Sequence, residues 1–302
     1  MTGLMKNCRL CPRACGADRT RARGLCGAGD QVEAARASLH LWEEPPISGT
    51  RGSGTVFFSH CSLGCVFCQN RQISRREAAG KAVSVPVLAR TFLSLERQGA
   101  HNINLVTGAH YVPQIIEALG LARRQGLSVP IVYNSSGYES VDTLKLLDGW
   151  IDIYLPDYKY YSSYYAERYS HAADYRETAV AAISEMVRQT GAPQYGADGM
   201  LKKGTVIRHL MLPGLGGDTA QVLRDIAVRF GDTVLVSLMR QYTPFAMQDW
   251  PELNRTITDA EYEEACALFE DLGLSGFFQQ DESISESFIP AFDGTGLEDT
   301  ER

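Results

Sequence analysis

The stretch Gly54-Thr55-Val56-Phe57-Phe58-Ser59-His60-Cys61-Ser62-Leu63-Gly64-Cys65-Val66-Phe67-Cys68-Gln69-Asn70 runs an apolar segment straight into three cysteines separated by three and then two residues. This pattern predicts a strand that delivers a metal-binding loop. Thiolates are soft ligands that favour iron–sulfur clusters, and spacers this short let one loop reach neighbouring irons of a 4Fe-4S cubane. Zinc loops, in contrast, usually supply four ligands in paired arrangements. Three protein ligands leave one iron open. An open iron is a position for chemistry, because it can take a small chelating molecule through an amine and a carboxylate.

Composition bounds the rest. A chain of 302 residues with 44% hydrophobic content can form one large α/β domain or two smaller ones around a sizeable core. No long uninterrupted apolar run is present, and cysteines and arginines stand where a signal peptide would need an apolar core. The expectation is a soluble, cytoplasmic protein with no membrane partner. All of the eight cysteines except Cys266 lie in the first quarter of the chain at ligand spacings, so they read as reduced thiolates and not as a disulfide framework. A net charge of −7 gives no general attraction to nucleic acid, which leaves small molecules or proteins as substrates.

Upstream of the loop, Cys8-x2-Cys11-x3-Cys15-x10-Cys26 is threaded with Arg9, Arg13, Arg19, Arg21 and Arg23. Four cysteines suggest a second metal site: tetrahedral zinc, a mononuclear iron, or an auxiliary iron–sulfur cluster with no open iron. Spacing alone does not choose among them. Residues 34–54, with Pro45, Pro46 and several glycines, read as a surface connector in which His40, Trp42, Glu43 and Glu44 either pack the leader or touch a substrate mouth. The expected organisation is a cysteine-rich leader and connector over 1–50, a catalytic domain over 51–292 and a disordered tail over 293–302.

Beyond the loop, strands and helices alternate. Ser84 reads as a helix cap ahead of Pro86, with Leu88, Phe92 and Leu95 at helical spacing and Gly99 closing the segment. Strands are expected at 101–107, 129–133, 151–155, 205–212, 233–239 and 276–279, after the first at 54–58. Thr258 and Glu261 have capping-box spacing before a helix that carries Tyr262, Cys266 and Phe269 on one face. Such alternation implies right-handed crossovers and a parallel sheet, either a barrel or an open doubly wound sheet.

The motif Cys61-x3-Cys65-x2-Cys68, with Phe67 before its last cysteine, resembles the signature of the radical S-adenosylmethionine (SAM) superfamily. From its first cysteines to about Gln280 the chain is most similar to relatives of pyruvate formate-lyase activating enzyme. The resemblance implies an α/β fold, a partial or incompletely closed (β/α) barrel with a cysteine-rich N-terminal extension. It implies a 4Fe-4S cluster on Cys61, Cys65 and Cys68 that cleaves SAM to a 5′-deoxyadenosyl radical, and an electron donor such as flavodoxin or ferredoxin. The substrate would be the glycine of a glycyl radical enzyme or, alternatively, a small molecule or peptide. A rival of another class is an iron–sulfur electron-transfer or binding protein.

In such a barrel the functional groups lie at the carboxyl ends of the strands. Thr107-Gly108-Ala109-His110 falls where the resembled enzymes receive the methionine amino group through glycines and an acid. Here Thr107 and Gly108 are the cofactor candidates, and His110 is a candidate acid or base, since its ordinary pKa lies near neutrality, or else a loop histidine bonded to backbone. Asn134 and Ser135 are candidates for the cofactor's ribose hydroxyls, although Asn-Ser-Ser-Gly is also ordinary turn chemistry. Asp157 and Lys159 share one face of an extended chain and, by the resemblance, approach the methionine carboxylate; the other reading is a surface ion pair. Arg208 belongs to the cofactor pocket by resemblance, while alternation turns His209, a second catalytic candidate, to the opposite side. Arg240-Gln241-Tyr242 falls where the relatives place polar residues near the substrate and adenosine, and Arg240 equally reads as a surface charge. The tyrosine-rich run from Tyr158 to Tyr175 reads as ring packing.

Overall fold

A computed structural model describes residues 3–78, 80–245, 247–279 and 290–297. Its ten strands are β1 (Val32–His40), β2 (Ser53–Phe58), β3 (Lys81–Val83), β4 (Ile103–Val106), β5 (Ile131–Ser135), β6 (Ile153–Pro156), β7 (Gln194–Tyr195), β8 (Leu201–Leu210), β9 (Leu235–Met239) and β10 (Gly276–Phe278). They pair in the order β10-β9-β8-β6-β5-β4-β2-β1-β3, with β7 alongside β8. The run from β2 to β10 is parallel throughout, and β1 and β3 extend its first edge in antiparallel fashion. Among the described residues β3 and β10 do not pair with each other, so the sheet they form stays open. The partial (β/α) barrel is the architecture observed.

Helices supply the crossovers: α1 (Gly3–Lys6) and α2 (Pro45–Ser48) precede the barrel; α3 (Arg71–Ser74), α4 (Val85–Arg97), α5 (Val112–Arg124), α6 (Val141–Leu146), α7 (Ser163–Ser170), α8 (Tyr175–Thr190), α9 (Gly216–Arg229) and α10 (Asp259–Asp271) follow. The helix signals in the sequence act as read. Ser84 accepts from the Val87 amide at the start of α4, with Pro86 in the first turn, and Thr258 and Glu261 form a reciprocal capping box on α10. Leu88, Phe92 and Leu95 of α4 and Ile115, Ile116 and Leu119 of α5 pack into the core between helices and sheet. Each such side chain contributes about 1.5–3 kcal/mol through removal from water.

Two expectations change. Residues 34–54 are not a surface connector: β1 is part of the sheet, with Ala34, Ala37 and His40 opposite Phe58, Val56 and Ser53 of β2. Because β1 runs antiparallel, the chain leaves it at the amino end of β2, and α2 folds under the barrel. Ile47 there is fully buried against Val132, Ile153, Leu155, Val206 and Leu235, plugging the bottom of the barrel. The leader therefore ends near residue 31.

Residues 293–297 are also laid down, where the sequence reading has the tail over 293–302 disordered. Gly294 and Thr295 exchange backbone hydrogen bonds with Ala35 and Ala37 at 2.8 Å each, along the stretch of β1 beyond its pairing with β3, and Leu297 enters the main core. An otherwise open strand edge is satisfied in this way. Gly296, at φ +75°, lies so close to the Ala37 carbonyl that a Cβ would come within 2.0 Å of its oxygen. Residues 298–302 lie outside the described residues.

Candidate active site

The strand ends and the cysteine loop enclose a cavity of about 710 Å³. Cys61, Cys65 and Cys68 all line one wall of it. Each sulfur accepts a hydrogen bond: Cys61 Sγ from the Leu63 amide at 3.4 Å, Cys65 Sγ from Ser170 Oγ at 3.0 Å, and Cys68 Sγ from Ser74 Oγ at 3.3 Å. Burial pushes the Cys61 thiol up to about 12, and the nearby Cys65 sulfur adds to the effect. Burial also raises Cys65, against the opposing influence of Lys159. Three such sulfurs on one wall, with burial opposing the charge on Cys61 and Cys65, act together as thiolate ligands only with a cationic centre among them. Among the described residues no group of three or more His, Cys, Asp or Glu side chains is arranged to hold a single metal ion. A cubane asks for something else, since each thiolate takes a different iron and the inorganic sulfides fill the space between. Three donor-tuned sulfurs on one cavity wall fit that demand.

Across the cavity, Asp157 is the hub of a buried polar network. Its Oδ2 accepts from Lys159 Nζ at 2.5 Å and its Oδ1 from Arg208 Nε at 3.0 Å. Arg208 continues to Asn134 Oδ1 at 2.6 Å and to Glu43 Oε2 at 3.4 Å, and Glu43 Oε1 accepts from Asn104 Nδ2 at 2.8 Å. Burial works against the Asp157 charge, but the adjacent Lys159 and Arg208 hold its carboxyl below the usual carboxylate range. Lys159 is raised for the converse reason: burial opposes its charge and Asp157 outweighs it. Burial lifts both Glu43 and Glu44 above the ordinary carboxyl range, with Arg208 opposing. Glu44 Oε2 has no hydrogen-bond partner among the described residues, and the residue lines the cavity near Ser237.

Of the residues singled out in the sequence, Thr107, Asn134, Ser135, Asp157, Lys159 and Arg208 line this one cavity. Thr107 holds φ +61°, a sparsely populated conformation for a β-branched residue, at the end of β4. Gly108 is set back: a Cβ there would meet Ile115 Cδ1 at 2.7 Å, so this glycine is a packing requirement.

Neither histidine proposed from the sequence as an acid or base lines the cavity. His110 Nε2 bonds the Ser59 carbonyl at 2.8 Å, and burial lowers its pKa to about 3. His209 lies between the Tyr158 carbonyl at 2.7 Å and Thr219 Oγ1 at 3.0 Å, lowered by burial to about 4. Strand alternation explains the second case, since Arg208 and Leu210 face the cavity and the intervening residue faces α9. Arg240 is buried rather than a surface charge, and its guanidinium contacts Asp259 at 2.6 Å. The tyrosines packed as expected: Tyr158, Tyr160, Tyr169 and Tyr175 are almost wholly buried.

One part of the site escaped the sequence reading, and another was left between two readings. His60 lines the cavity beside Cys61 at φ +74°, its Nε2 2.6 Å from Glu33 Oε2. Glu43 and Glu44 reach the cavity because α2 carries them under the barrel. For His60 the available signal was its place next to the first cysteine; the glutamates stood between packing the leader and touching a substrate mouth, and they line the cavity.

The curled parallel sheet carries the cysteine loop at the carboxyl end of β2, and this partial-barrel fold has counterparts among solved structures. Two solved structures share it at a TM-score of 0.51 each. One is a radical SAM methyltransferase from Sphaerobacter thermophilus, 12% identical, covering 74% of this chain and 65% of its own. The other is HydG, a maturase of the FeFe-hydrogenase, 14% identical, covering 81% of this chain and 56% of its own. The chain thus spans less than two-thirds of either neighbour. By sequence it is similar to an uncharacterized protein of Methanocaldococcus jannaschii, 27% identical over 278 residues, which are 90% of this chain and 76% of the relative. No family model matches. Among the described residues no helix is long and apolar enough to cross a membrane.

Proposed function

We propose that this chain is a radical SAM enzyme: Cys61, Cys65 and Cys68 hold a 4Fe-4S cluster, and SAM binds between it and the Asp157–Arg208 network. The observation that carries the reading is the convergence of the three hydrogen-bonded sulfurs and the Lys159, Asp157 and Arg208 side chains on one cavity. A cluster bound there supplies one-electron reduction of a sulfonium and hence a radical able to take hydrogen from carbon. The chain's own residues do the rest. Lys159, held beside Cys65, is the cation for the methionine carboxylate, and Asn134 and Ser135 offer donors and acceptors to ribose hydroxyls. The apolar walls, Phe67, Leu210 and Met239 among them, keep water from a reactive radical. Glu44 Oε2, without a partner among the described residues, is the acceptor left for a donor group of the substrate.

A cavity of about 710 Å³ is within the roughly 300–1,000 Å³ of small-molecule sites. It suits SAM together with a small substrate or an extended peptide segment. Activation of a glycyl radical enzyme, with flavodoxin or ferredoxin as donor, is the reading the sequence resemblance favours; radical modification of a small molecule or peptide is the alternative. We further propose that Cys8, Cys11, Cys15 and Cys26 hold a second metal centre, whose binding must draw the four thiols closer than they stand here, since no such group of the described residues is already arranged around a single ion. These thiols influence one another electrostatically and border the buried Arg19, whose guanidinium has only backbone carbonyls and Cys8 Sγ as polar partners among the described residues. A buried cation with no carboxylate beside it is the partner that an anionic tetrathiolate needs.

Anaerobic reconstitution tests both assignments. Cys65→Ala should lose the iron of the loop and the cleavage of SAM to 5′-deoxyadenosine, whereas Cys8→Ser/Cys11→Ser should lose one metal centre and keep the SAM-responsive signal. A Cys61/Cys65/Cys68 triple variant with full iron content and metal-free leader cysteines refutes the first. A double leader variant with full metal content refutes the second, and elemental analysis tells zinc from iron.

A further inference from the structure

Arg13, between Cys11 and Cys15 of the leader, makes contacts that the site description does not explain. Its Nε donates to the Ser62 carbonyl at 3.1 Å and its Nη2 reaches the Leu63 carbonyl at 3.5 Å, both inside the loop between Cys61 and Cys65. The same guanidinium donates to the Ser170 carbonyl at 3.1 Å and to the His171 carbonyl. Those two carbonyls lie at the carboxyl end of α7, where backbone acceptors lack helical partners and a cation is favoured. Arg13 also stacks 5.1 Å from the centre of the Tyr138 ring. One side chain thus fastens the leader to the cysteine loop and to the end of α7 together.

The end of α7 matters because Ser170, fully buried, is the donor to Cys65 Sγ. A hydroxyl has one proton. With that proton directed at sulfur, the 2.8 Å contact between Tyr160 and Ser170 must run from the tyrosine hydroxyl to Ser170 Oγ. Tyr160, Ser170 and Cys65 therefore form a donor chain ending on a cluster ligand. Hydrogen bonds to the sulfurs are among the levers that set a cluster's reduction potential, because a donor stabilises the more negative, reduced state.

We propose that Arg13 is a positioning residue that couples the cysteine leader to the radical centre. By holding the Ser62–Leu63 carbonyls against those of Ser170 and His171 it fixes the Ser170-to-Cys65 hydrogen bond, and so sets how readily the cluster accepts its electron. This inference rests on the cluster proposed above. It gives the leader a task at the first site whether its own metal is zinc or iron.

The test is an electron-paramagnetic-resonance redox titration of the reconstituted full-length chain, following the signal that changes when SAM is added. Ser170→Ala should keep the loop's iron and lower the reduced-to-oxidised ratio about tenfold at the wild-type midpoint, a shift of about 59 mV for one electron. Arg13→Ala should move the midpoint the same way, and Arg13→Lys, which can reach only part of the four-carbonyl set, should recover some of the shift. In the Arg13→Ala/Ser170→Ala double variant the midpoint should match that of Ser170→Ala alone, since both act through one hydrogen bond. Wild-type midpoints for Arg13→Lys and Arg13→Ala beside a shifted Ser170→Ala overturn the proposal, as do strictly additive shifts or an unshifted Ser170→Ala. If Arg13→Ala does not fold, Arg13→Lys against Ser170→Ala decides. Wild-type protein that takes up no SAM-responsive cluster refutes the proposed function instead, and that outcome is separable by its iron content.

Discussion

Replacement of Asp157 by Asn keeps its shape and removes the charge on which two cations depend. Asp157 stands 2.5 Å from Lys159 Nζ and 3.0 Å from Arg208, and the side chains of all three are only 14–15% exposed. Breaking a buried ion pair by removing one partner costs roughly 3–5 kcal/mol. The low end, about 3 kcal/mol, is expected here, because each side chain keeps an edge on the cavity and Glu43 remains for Arg208. The sign with pH follows from the direction of the shift. A carboxyl depressed in the folded state contributes stability that is present above its unfolded value of about 3.9 and is lost as pH falls through the lower folded value. Urea unfolding should therefore separate wild type from Asp157→Asn by the full amount at neutral pH, with the two converging only below about pH 4. SAM affinity should fall in parallel, since Lys159 and Arg208 lose their anchor. Equal unfolding free energies at neutral pH, with equal denaturant slopes, would refute the view of Asp157 as the hub of the network.

Ile47→Ala should destabilise the chain by about 2–5 kcal/mol, as for other fully buried large-to-small changes, and the loosened plug should raise amide exchange at Glu43 and Glu44. Unchanged exchange there would mean that α2 does not close the barrel floor. Gly296→Ala should detach the 290–297 segment from β1, exposing the Ala37 amide to exchange and the segment to proteases, while leaving the core helices protected. Wild-type protection of Ala37 would contradict the tight approach at this glycine.

The parallel core was legible because its signals are local. Apolar runs, the Ser84 and Thr258 caps and the helical spacing of Leu88, Phe92 and Leu95 need no distant partner to be recognised. The cysteine loop and the strand-end polar residues were legible for the same reason: motif spacing and alternation fix which way Cys61, Asp157 and Arg208 point. β1 was not, because its alanines carry little hydrophobic signal of their own and become buried only through pairing with β2 and β3 and the docking of 294–295. Missing β1 hid the barrel floor and left open whether Glu43 and Glu44 pack the leader or touch the site. His110 stood between an acid or base and a loop histidine bonded to backbone; the 3-10 segment Ala109–Tyr111 carries its ring against Tyr111 and its Nε2 to the Ser59 carbonyl. A strand end marks a neighbourhood, not a direction, once regular extension stops.

The staple made by Arg13 also sets a timetable. Its acceptor at His171 is 158 residues further along the chain, and the acceptor of Arg19 at His110 is 91 residues on. At roughly 5–20 residues per second a ribosome needs about 8–30 s to make the first of those distances. During that interval the leader has emerged while its docking surface has not been synthesised. Cys8 and Cys11, buried in the finished protein, are then open to whatever metal or oxidant is nearby. The growth medium and oxygen tension during expression, and not only the later reconstitution, therefore bear on what the proposed leader site would take up before the leader docks.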